Sequence, residues 1–183
     1  RLQDPLAELV KIEPKAIGVG QYQHDMPQKK LEAALDGVVE DCVNSVGADL
    51  NTASPALLSH ISGLSSTVCK NIVAFREENG SFESRAQLKK VPKLGPKAFE
   101  QCAGFLRIPE SKEMMDNTGV HPESYTAAKA LLALLGLKKG DNLADLPLKL
   151  ESYGLAKAAA ECAVGEHTLA DIAKELSKPG RDP

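Results

Sequence analysis

Two short turns in the sequence place glycine, serine and lysine where they could bind a phosphate group. Residues 61–65 read Ile-Ser-Gly-Leu-Ser and residues 91–95 read Val-Pro-Lys-Leu-Gly, and a helix is predicted to begin directly after each turn. Glycine lets a backbone turn tightly and approach an anion closely. The free N–H groups and the positive dipole end of the following helix attract the same ligand. These residues therefore favour anion binding.

The turn of a helix-hairpin-helix reads apolar-x-Gly-apolar-Gly, and each of the two turns here keeps one of its two glycines. The first turn keeps Gly63 and has Ser65 in place of the second glycine. The second turn keeps Gly95 and has Lys93 in place of the first glycine, which puts a cation at the tip. The predicted nucleic-acid-binding residues of the two turns and their flanks are Ser62, Gly63, Ser65, Ser66, Lys70, Lys89, Lys90, Lys93, Gly95 and Lys97.

The two turns belong to an internal repeat. Residues 51–73 and 81–103 align without a gap at an offset of 30, so that Ser54 matches Ser84. Both serines are predicted N-caps, Ser54 because Pro55 follows it and Ser84 because Gln87 completes a capping box. Each repeat is therefore predicted to be a helix, a short turn and a second helix, which is a helix-hairpin-helix. One copy also fits a plain helix corner, but two copies at fixed spacing favour phosphate binding.

The charge of the chain is distributed unevenly. The net charge is −3, yet residues 59–108 contain eight Lys or Arg against four Asp or Glu, so the remainder is acidic. A basic stretch that coincides with the paired turns indicates contact with a nucleic-acid backbone. No Arg and Asn pair lies on a predicted recognition helix, so binding is expected to be independent of base sequence.

The composition predicts packed helices without a bound cofactor. Hydrophobic residues make up 43% and aromatic residues 4% of the chain, and no apolar run reaches the roughly 20 residues of a membrane span, so no membrane partner is expected. The four cysteines are predicted to be buried thiols, and the scattered histidines suggest no metal site. No constellation of catalytic side chains is present, so we expect a protein that is not an enzyme.

The apolar periodicity predicts an all-α fold, a tandem helix-hairpin-helix domain followed by a small helical module. A helix beginning at Pro27 carries a broad apolar stripe, in which Gly37 is expected to let another helix approach closely and Gly47 to end the helix. Later helices are predicted from Pro122 and over about 154–164 and 167–177. The expected organisation is residues 1–26 as the tail of an upstream domain, 27–109 as the tandem domain, 110–119 as a linker, 120–178 as the helical module and 179–183 as the start of another linker.

Two alternatives stay open at this level. Residues 155–172 could form a helix-turn-helix, but Glu161 and Asp171 occupy positions that such a motif keeps small or buried, and a helical packing module is favoured. The net negative charge and the acidic C-terminal unit also fit a protein–protein interaction scaffold, which would link domains or contact RNA polymerase.

Several longer runs closely resemble the Tex family of bacterial transcription accessory proteins. The resemblance extends over essentially the whole chain and is carried by residues 19–25, 40–44, 49–54, 94–108, 121–125 and 178–183. The second repeat alone also resembles competence-type DNA-uptake proteins, which lack the flanking runs.

The resemblance implies a multidomain cytoplasmic protein, similar in its core to the eukaryotic elongation factor that escorts RNA polymerase II. In that family a resolvase-like domain precedes this segment and an OB-fold RNA-binding domain follows it. Residues 1–26 would then end the resolvase-like domain, and residues 179–183 would lead to the OB-fold. The turns would accordingly be a secondary grip on nucleic acid, weak in this segment alone.

Overall fold

Helices supply nearly all the regular structure of residues 8–18, 20, 22–138 and 141–178, which are the residues that the computed structural model describes. The predicted all-α fold class is confirmed. Residues 1–7, 19 and 21 of the expected tail at 1–26, and the whole expected linker at 179–183, lie outside the described residues. The α-helices are α1 (Gln28–Val46), α2 (Pro55–Leu58), α3 (Ser66–Asn79), α4 (Pro96–Cys102), α5 (Tyr125–Leu134), α6 (Leu146–Tyr153), α7 (Leu155–Glu161) and α8 (Glu166–Ser177).

Short 3-10 helices fill most of the connections. They span Pro14–Ile17, Gln23–Asp25, Arg85–Lys90, Ala103–Phe105, Met114–Asn117 and Pro122–Ser124. Two strands of two residues, β1 (Ala48–Asp49) and β2 (Leu106–Arg107), pair in parallel and join the start of the first repeat to the end of the second. The sequence analysis missed this pair because two residues show no strand periodicity.

The tandem domain closes around one apolar cluster that both repeats supply. Leu57, Leu58 and Ile72 from the first repeat pack with Leu88 and Phe99 from the second. Sequence positions that match at the 30-residue offset therefore lie in a shared core. This core fixes the two turns relative to each other.

The predicted N-caps of the two repeats differ in outcome. The Ser54 hydroxyl accepts the Leu57 N–H at 3.2 Å, as expected of a cap. The Ser84 prediction was wrong, because Arg85–Lys90 is a 3-10 helix and its Gln87 N–H donates to the Ser84 carbonyl at 3.2 Å instead of the hydroxyl. The Gln87 side chain accepts the N–H of Glu83 at 2.7 Å.

The apolar stripe of α1 is mostly exposed. Only Leu31 and Val43 are buried, while Val38 is 57% exposed and Cys42 is also exposed. The prediction of a buried thiol was therefore wrong for Cys42, although Cys69, Cys102 and Cys162 are buried. Gly37 was also misread, since a Cβ built there would have no neighbour within 4 Å. Periodicity identifies a face suited to burial but does not show what covers it.

A second apolar cluster holds the C-terminal module together. Leu131, Leu146, Ala158 and Leu169 are fully buried in it, and each comes from a different helix. The predicted helices from Pro122, near 154–164 and near 167–177 are present as a 3-10 turn continuing into α5, as α7 and as α8. Helix α6 was not predicted. Within the described residues, no helix combines the length and the apolar character needed to cross a bilayer.

Residues 110–119 are folded, contrary to the expected linker. Met115 is 1% exposed and Asp116 is 2% exposed, and the Ile108 N–H donates to the Asp116 carbonyl at 3.0 Å. The Asp116 carboxylate accepts from the hydroxyl groups of Ser111 at 2.8 Å and Tyr125 at 2.6 Å. The polar composition that suggested a linker instead supplies hydrogen bonds within the structure.

Arg85 joins the tandem domain to the C-terminal module. Its side chain is 1% exposed. The guanidinium donates to the carbonyl groups of Leu106 at 2.8 Å and Val120 at 2.7 Å, and to the Tyr125 hydroxyl at 2.8 Å. It also donates to the carbonyls of Met115 and Thr118. A buried guanidinium is stable only when its N–H groups have acceptors, and here they span both modules.

Candidate nucleic-acid interface

The two turns share one backbone conformation. Gly63 has a φ of 84° and Lys93 a φ of 66°, so the left-handed position recurs at the 30-residue offset. The N–H of Leu64 donates to the carbonyl oxygen of Ile61 at 3.2 Å, and the N–H of Leu94 donates to the carbonyl oxygen of Val91 at the same distance. Ser65 and Gly95, both in an extended conformation, are the N-cap residues that directly precede α3 and α4. The predicted hairpins are therefore present as true copies.

Lys93 is strained in this conformation. A side chain in the left-handed region brings its Cβ close to the following carbonyl oxygen, which costs roughly 1–2 kcal/mol. Glycine would avoid this cost, as Gly63 does in the first turn. A strained, exposed lysine at the tip of a turn is a feature from which a function of its ammonium can be inferred.

Each turn packs against the second helix of the other repeat. The Asn71 side chain of α3 donates to the Pro92 carbonyl of the second turn at 2.7 Å. A Cβ built on Gly63 of the first turn would lie 2.6 Å from the Cβ of Gln101 in α4. Asn71 and Gln101 are themselves related by the offset of 30, so the two contacts are reciprocal. Sequence reasoning missed both residues, because neither is apolar, charged or part of a turn.

Ser62 and Gly63, both predicted to bind nucleic acid, contact other parts of the tandem domain. The Ser62 N–H donates to Asn44 Oδ1 at 3.2 Å, and its hydroxyl donates to the Glu40 carboxylate at 3.3 Å. Position 63 requires glycine for two structural reasons, because a Cβ there would collide with Gln101 of α4 and because its φ is positive. Because the donors of Ser62 are used beside a carboxylate, the geometry does not favour its predicted phosphate contact. The N–H groups of Ser65, Ser66 and Thr67 have no acceptor among the described residues.

The five predicted lysines are exposed and are not paired with carboxylates within the described part of the chain. They are Lys70, Lys89, Lys90, Lys93 and Lys97. The arginines of the basic stretch contribute less to the surface, because Arg85 and Arg107 are buried. Arg76 donates to the carbonyl groups of Leu50 at 3.2 Å and Ala53 at 2.9 Å. The charge counted in the sequence therefore overstates the exposed charge, and the exposed cations of this stretch are lysines.

Lysine and aromatic groups meet beside the second turn. The Lys89 ammonium lies 4.9 Å from the centroid of the Phe99 ring, a favourable cation–π distance. The turn residues Leu94, Gly95 and Pro96 form one side of a cavity of about 430 Å³ next to this pair. The first turn has Ser59 and Cys69 at the positions of Lys89 and Phe99, so the two turns differ in their surroundings.

Cys69 in α3 and Cys102 in α4 are buried thiols. Burial raises the pKa of Cys102 to about 12 and also raises the pKa of Cys69 above its ordinary value. Desolvation is the main cause in both, since the charged thiolate is disfavoured in an apolar surrounding. These cysteines therefore belong to the core.

Family models match both modules as helix-hairpin-helix units. Residues 43–107 match a model described as a helix-hairpin-helix motif, and residues 113–183 match one described as an HHH domain. The chain is thus a helix-hairpin-helix protein in both of its modules. The description of the second module agrees with a small helical unit and does not support the helix-turn-helix alternative.

Proteins named Tex are among the relatives of the chain. The chain is 56% identical over 185 residues to the transcriptional accessory protein Tex of Neisseria gonorrhoeae and 55% identical over 187 residues to YhgF of Escherichia coli. Each alignment covers the whole chain but only 24% and 23% of the relative. It is also 40% identical, over 98% of its length, to 23% of the human S1 RNA-binding domain-containing protein 1. The resemblance to Tex proteins that the sequence indicated is thus confirmed over the whole chain, which spans about a quarter of the length of these relatives.

Proposed function

We propose that this chain is a non-catalytic module that binds the phosphate backbone of nucleic acid, without reading base sequence, within a cytoplasmic transcription accessory protein. The observation that carries the proposal is the pair of turns with one backbone conformation, held in reciprocal contact. The names of the relatives agree with it, since one is called a transcriptional accessory protein and another an S1 RNA-binding domain-containing protein.

The second turn is proposed to bind phosphate more strongly than the first. Lys93 at its tip and Lys97 one turn later are exposed and carry no ion pair among the described residues. The N–H groups of Lys93, Gly95 and Lys97 also lack an acceptor within these residues. A phosphate placed there would receive charge-assisted hydrogen bonds from both backbone and side chains.

The first turn is proposed to hold a second phosphate through the beginning of α3. This helix has 14 residues, and its first N–H groups have no acceptor among the described residues, so they are available to a phosphate. Lys70 adds a cation one turn further along the helix. Ser65 holds the Val68 N–H at 3.4 Å and so fixes the start of the helix.

A salt titration of the 183-residue chain tests the proposal. Two to four phosphate contacts predict that the logarithm of the association constant falls with the logarithm of salt concentration with a slope of about −2 to −4 for duplex DNA. Fluorescence anisotropy with labelled single- and double-stranded DNA and RNA gives this slope.

Replacing Lys93 and Lys97 by Ala should lower affinity and make the slope shallower. Replacing Lys149 and Lys174, exposed lysines of the C-terminal module, should leave both unchanged. Unaltered binding in the Lys93/Lys97 variant would contradict the assignment.

Exposed apolar side chains favour interaction scaffolding as the second candidate function. Leu9, Ile12, Ile17 and Val38 are each at least 48% exposed and surround a groove of about 480 Å³ beside α1. An apolar surface of this kind suits contact with another domain or with a protein such as RNA polymerase. Replacing Val38 and Ile17 by Ser should then weaken such a contact and leave nucleic-acid binding intact. A mutant that keeps its polymerase contact in a two-component binding assay would count against this candidate.

A further inference from the structure

We propose that the cavity beside the second turn receives the base of an unpaired nucleotide whose phosphate is held by that turn. This inference rests on the proposed phosphate-binding function and adds a substrate class to it. The walls of the cavity are Lys89, Leu94, Gly95, Pro96, Phe99, Glu100, Pro122 and Glu123. Its volume of about 430 Å³ lies within the range of about 300–1,000 Å³ typical of small-molecule sites.

The cavity and the phosphate site share residues. Leu94, Gly95 and Pro96 belong to the second turn and also line the cavity. A nucleotide anchored at the turn by its phosphate would therefore have its sugar and base at the cavity wall. The Lys89 ammonium over Phe99 is exposed and carries no ion pair among the described residues, so it is available to the same phosphate.

The lining chemistry fits a base better than a second phosphate. Pro96 and Pro122 offer apolar surface in the cavity, while Leu94 and Phe99, 7% and 8% exposed, line it as part of the core, and apolar groups of this kind can contact the face of any base. Glu100 and Glu123 would repel a phosphate but accept hydrogen bonds from the amino groups of adenine, guanine or cytosine. The lysines at the turn thus suit the negative charge of a phosphate, and the carboxylates of the cavity suit the hydrogen-bond donors of a base.

A base can reach this cavity only when it is unstacked. In a duplex, the base edges are paired and the faces are covered by neighbouring pairs, whereas single strands and junctions present bases that can be splayed outward. The cavity should therefore make the second turn prefer an unpaired nucleotide. The first turn has Ser59, Cys69 and Lys70 where the second has Lys89, Phe99 and Glu100, so it lacks the aromatic and acidic groups of the cavity.

The C-terminal module completes the cavity wall. Pro122 and Glu123 lie in the 3-10 turn Pro122–Ser124. Arg85 holds both flanks of that turn, through the Val120 carbonyl at 2.7 Å and the Tyr125 hydroxyl at 2.8 Å. The buried Arg85 contacts thereby position one wall of the cavity against the second turn.

Strands with equal charge and different bases test the proposal. The 183-residue chain is titrated with a labelled oligodeoxyadenylate, with an abasic strand of the same number of phosphates, and with a blunt duplex. A riboadenylate strand separates RNA from DNA preference. We expect the base-bearing single strand to bind about fivefold or more tightly than the abasic strand, because stacking of one base contributes at least this factor.

Two variants of the cavity make the test specific. Replacing Glu100 and Glu123 together by Ala should reduce the preference for the base-bearing strand while raising affinity for the abasic strand. Phe99→Leu should reduce the same preference, with its folding checked by thermal denaturation. Replacing Glu77 and Glu78 by Ala removes two exposed carboxylates from α3 outside the cavity and should leave the preference unchanged.

The outcomes separate the two proposals. Equal, salt-dependent binding of intact and abasic strands by the wild type would overturn the base site and leave the phosphate grip standing. A base preference that persists in both cavity variants would also overturn it. If no strand binds in a salt-dependent manner, the phosphate grip fails and the base site fails with it.

Discussion

The side-chain amide of Asn71 donates to the carbonyl oxygen of Pro92 at 2.7 Å, which fastens the second helix of the first repeat to the turn of the second. The reciprocal contact brings Gly63 against Gln101, the residue that matches Asn71 at the 30-residue offset. The two hairpins therefore act as one unit, and a change in either contact should be felt at the opposite turn.

Removing the Asn71 amide should loosen the second turn. Asn71→Ala should lower the free energy of unfolding by about 1 kcal/mol, the usual contribution of one such hydrogen bond. Nucleic-acid affinity should fall as well, since the bond positions Pro92 next to Lys93. Urea denaturation and anisotropy measure the two effects. Asn79→Ala is the control, because that amide bonds to Phe75 within its own helix, and affinity should not change.

Lys93→Gly should separate stability from binding. Glycine relieves a left-handed strain of roughly 1–2 kcal/mol but adds flexibility to the unfolded chain worth about half of that, so the free energy of unfolding should stay constant or rise by up to about 1 kcal/mol. Affinity for nucleic acid should nevertheless fall, because the cation at the tip is lost. Lys93→Ala should lose the same affinity without the gain in stability. Retained affinity in both variants would remove Lys93 from the interface.

Three glycines of the tandem domain should respond differently to replacement by alanine. Gly63→Ala places a Cβ 2.6 Å from Gln101 Cβ at a φ of 84°, so we expect a loss of at least about 2 kcal/mol in unfolding free energy. Gly80→Ala has a φ of 83° and no neighbour within 4 Å, and only the left-handed cost of roughly 1–2 kcal/mol applies. Gly95→Ala has neither problem and should change stability little, but it should weaken binding by obstructing approach of a phosphate. Thermal and urea denaturation rank the three variants.

Replacing the buried Arg85 is expected to lower the free energy of unfolding strongly. Arg85→Ala leaves buried carbonyl groups of Leu106 and Val120 without their donor, and a loss of about 3 kcal/mol or more in unfolding free energy should follow. Lys90→Ala, an exposed lysine of the same 3-10 helix, should change stability by less than about 0.5 kcal/mol. Equal, small effects of both substitutions in urea denaturation would contradict the role assigned to Arg85.

Alkaline pH should destabilise the fold through the buried thiol. The pKa of Cys102 is raised from its ordinary value of 9.0 to about 12, so the folded state binds a proton that the unfolded state releases. Its contribution to stability is complete below pH 9 and is lost as the pH rises toward about 12. Burial also raises the pKa of Tyr125, which acts in the same direction. Cys102→Ala should therefore show a shallower decline in unfolding free energy above pH 9, even though its stability at neutral pH is lower.

Much of the local structure could be predicted because it is encoded over a few residues. The repeat at an offset of 30, the N-cap at Ser54 and the turn at Gly63 follow from residue types at short spacing. The resemblance to Tex proteins was likewise evident in long runs of residues, and the 56% identity to a Tex protein confirms it. The positions of the exposed lysines at the second tip also follow from the sequence alone, since a turn displays its central residues.

Tertiary structure decided what those residues contact. Whether Ser62 faces a phosphate or Glu40, whether Arg85 is exposed or buried, and whether residues 110–119 form a linker or part of the fold depend on partners that are distant in the chain. Periodicity reports only that a side chain could be buried, and charge only that it could be exposed. The free energy of a contact depends on the geometry and desolvation of both partners, and the folded chain alone brings Asn71 to Pro92 and Gly63 to Gln101.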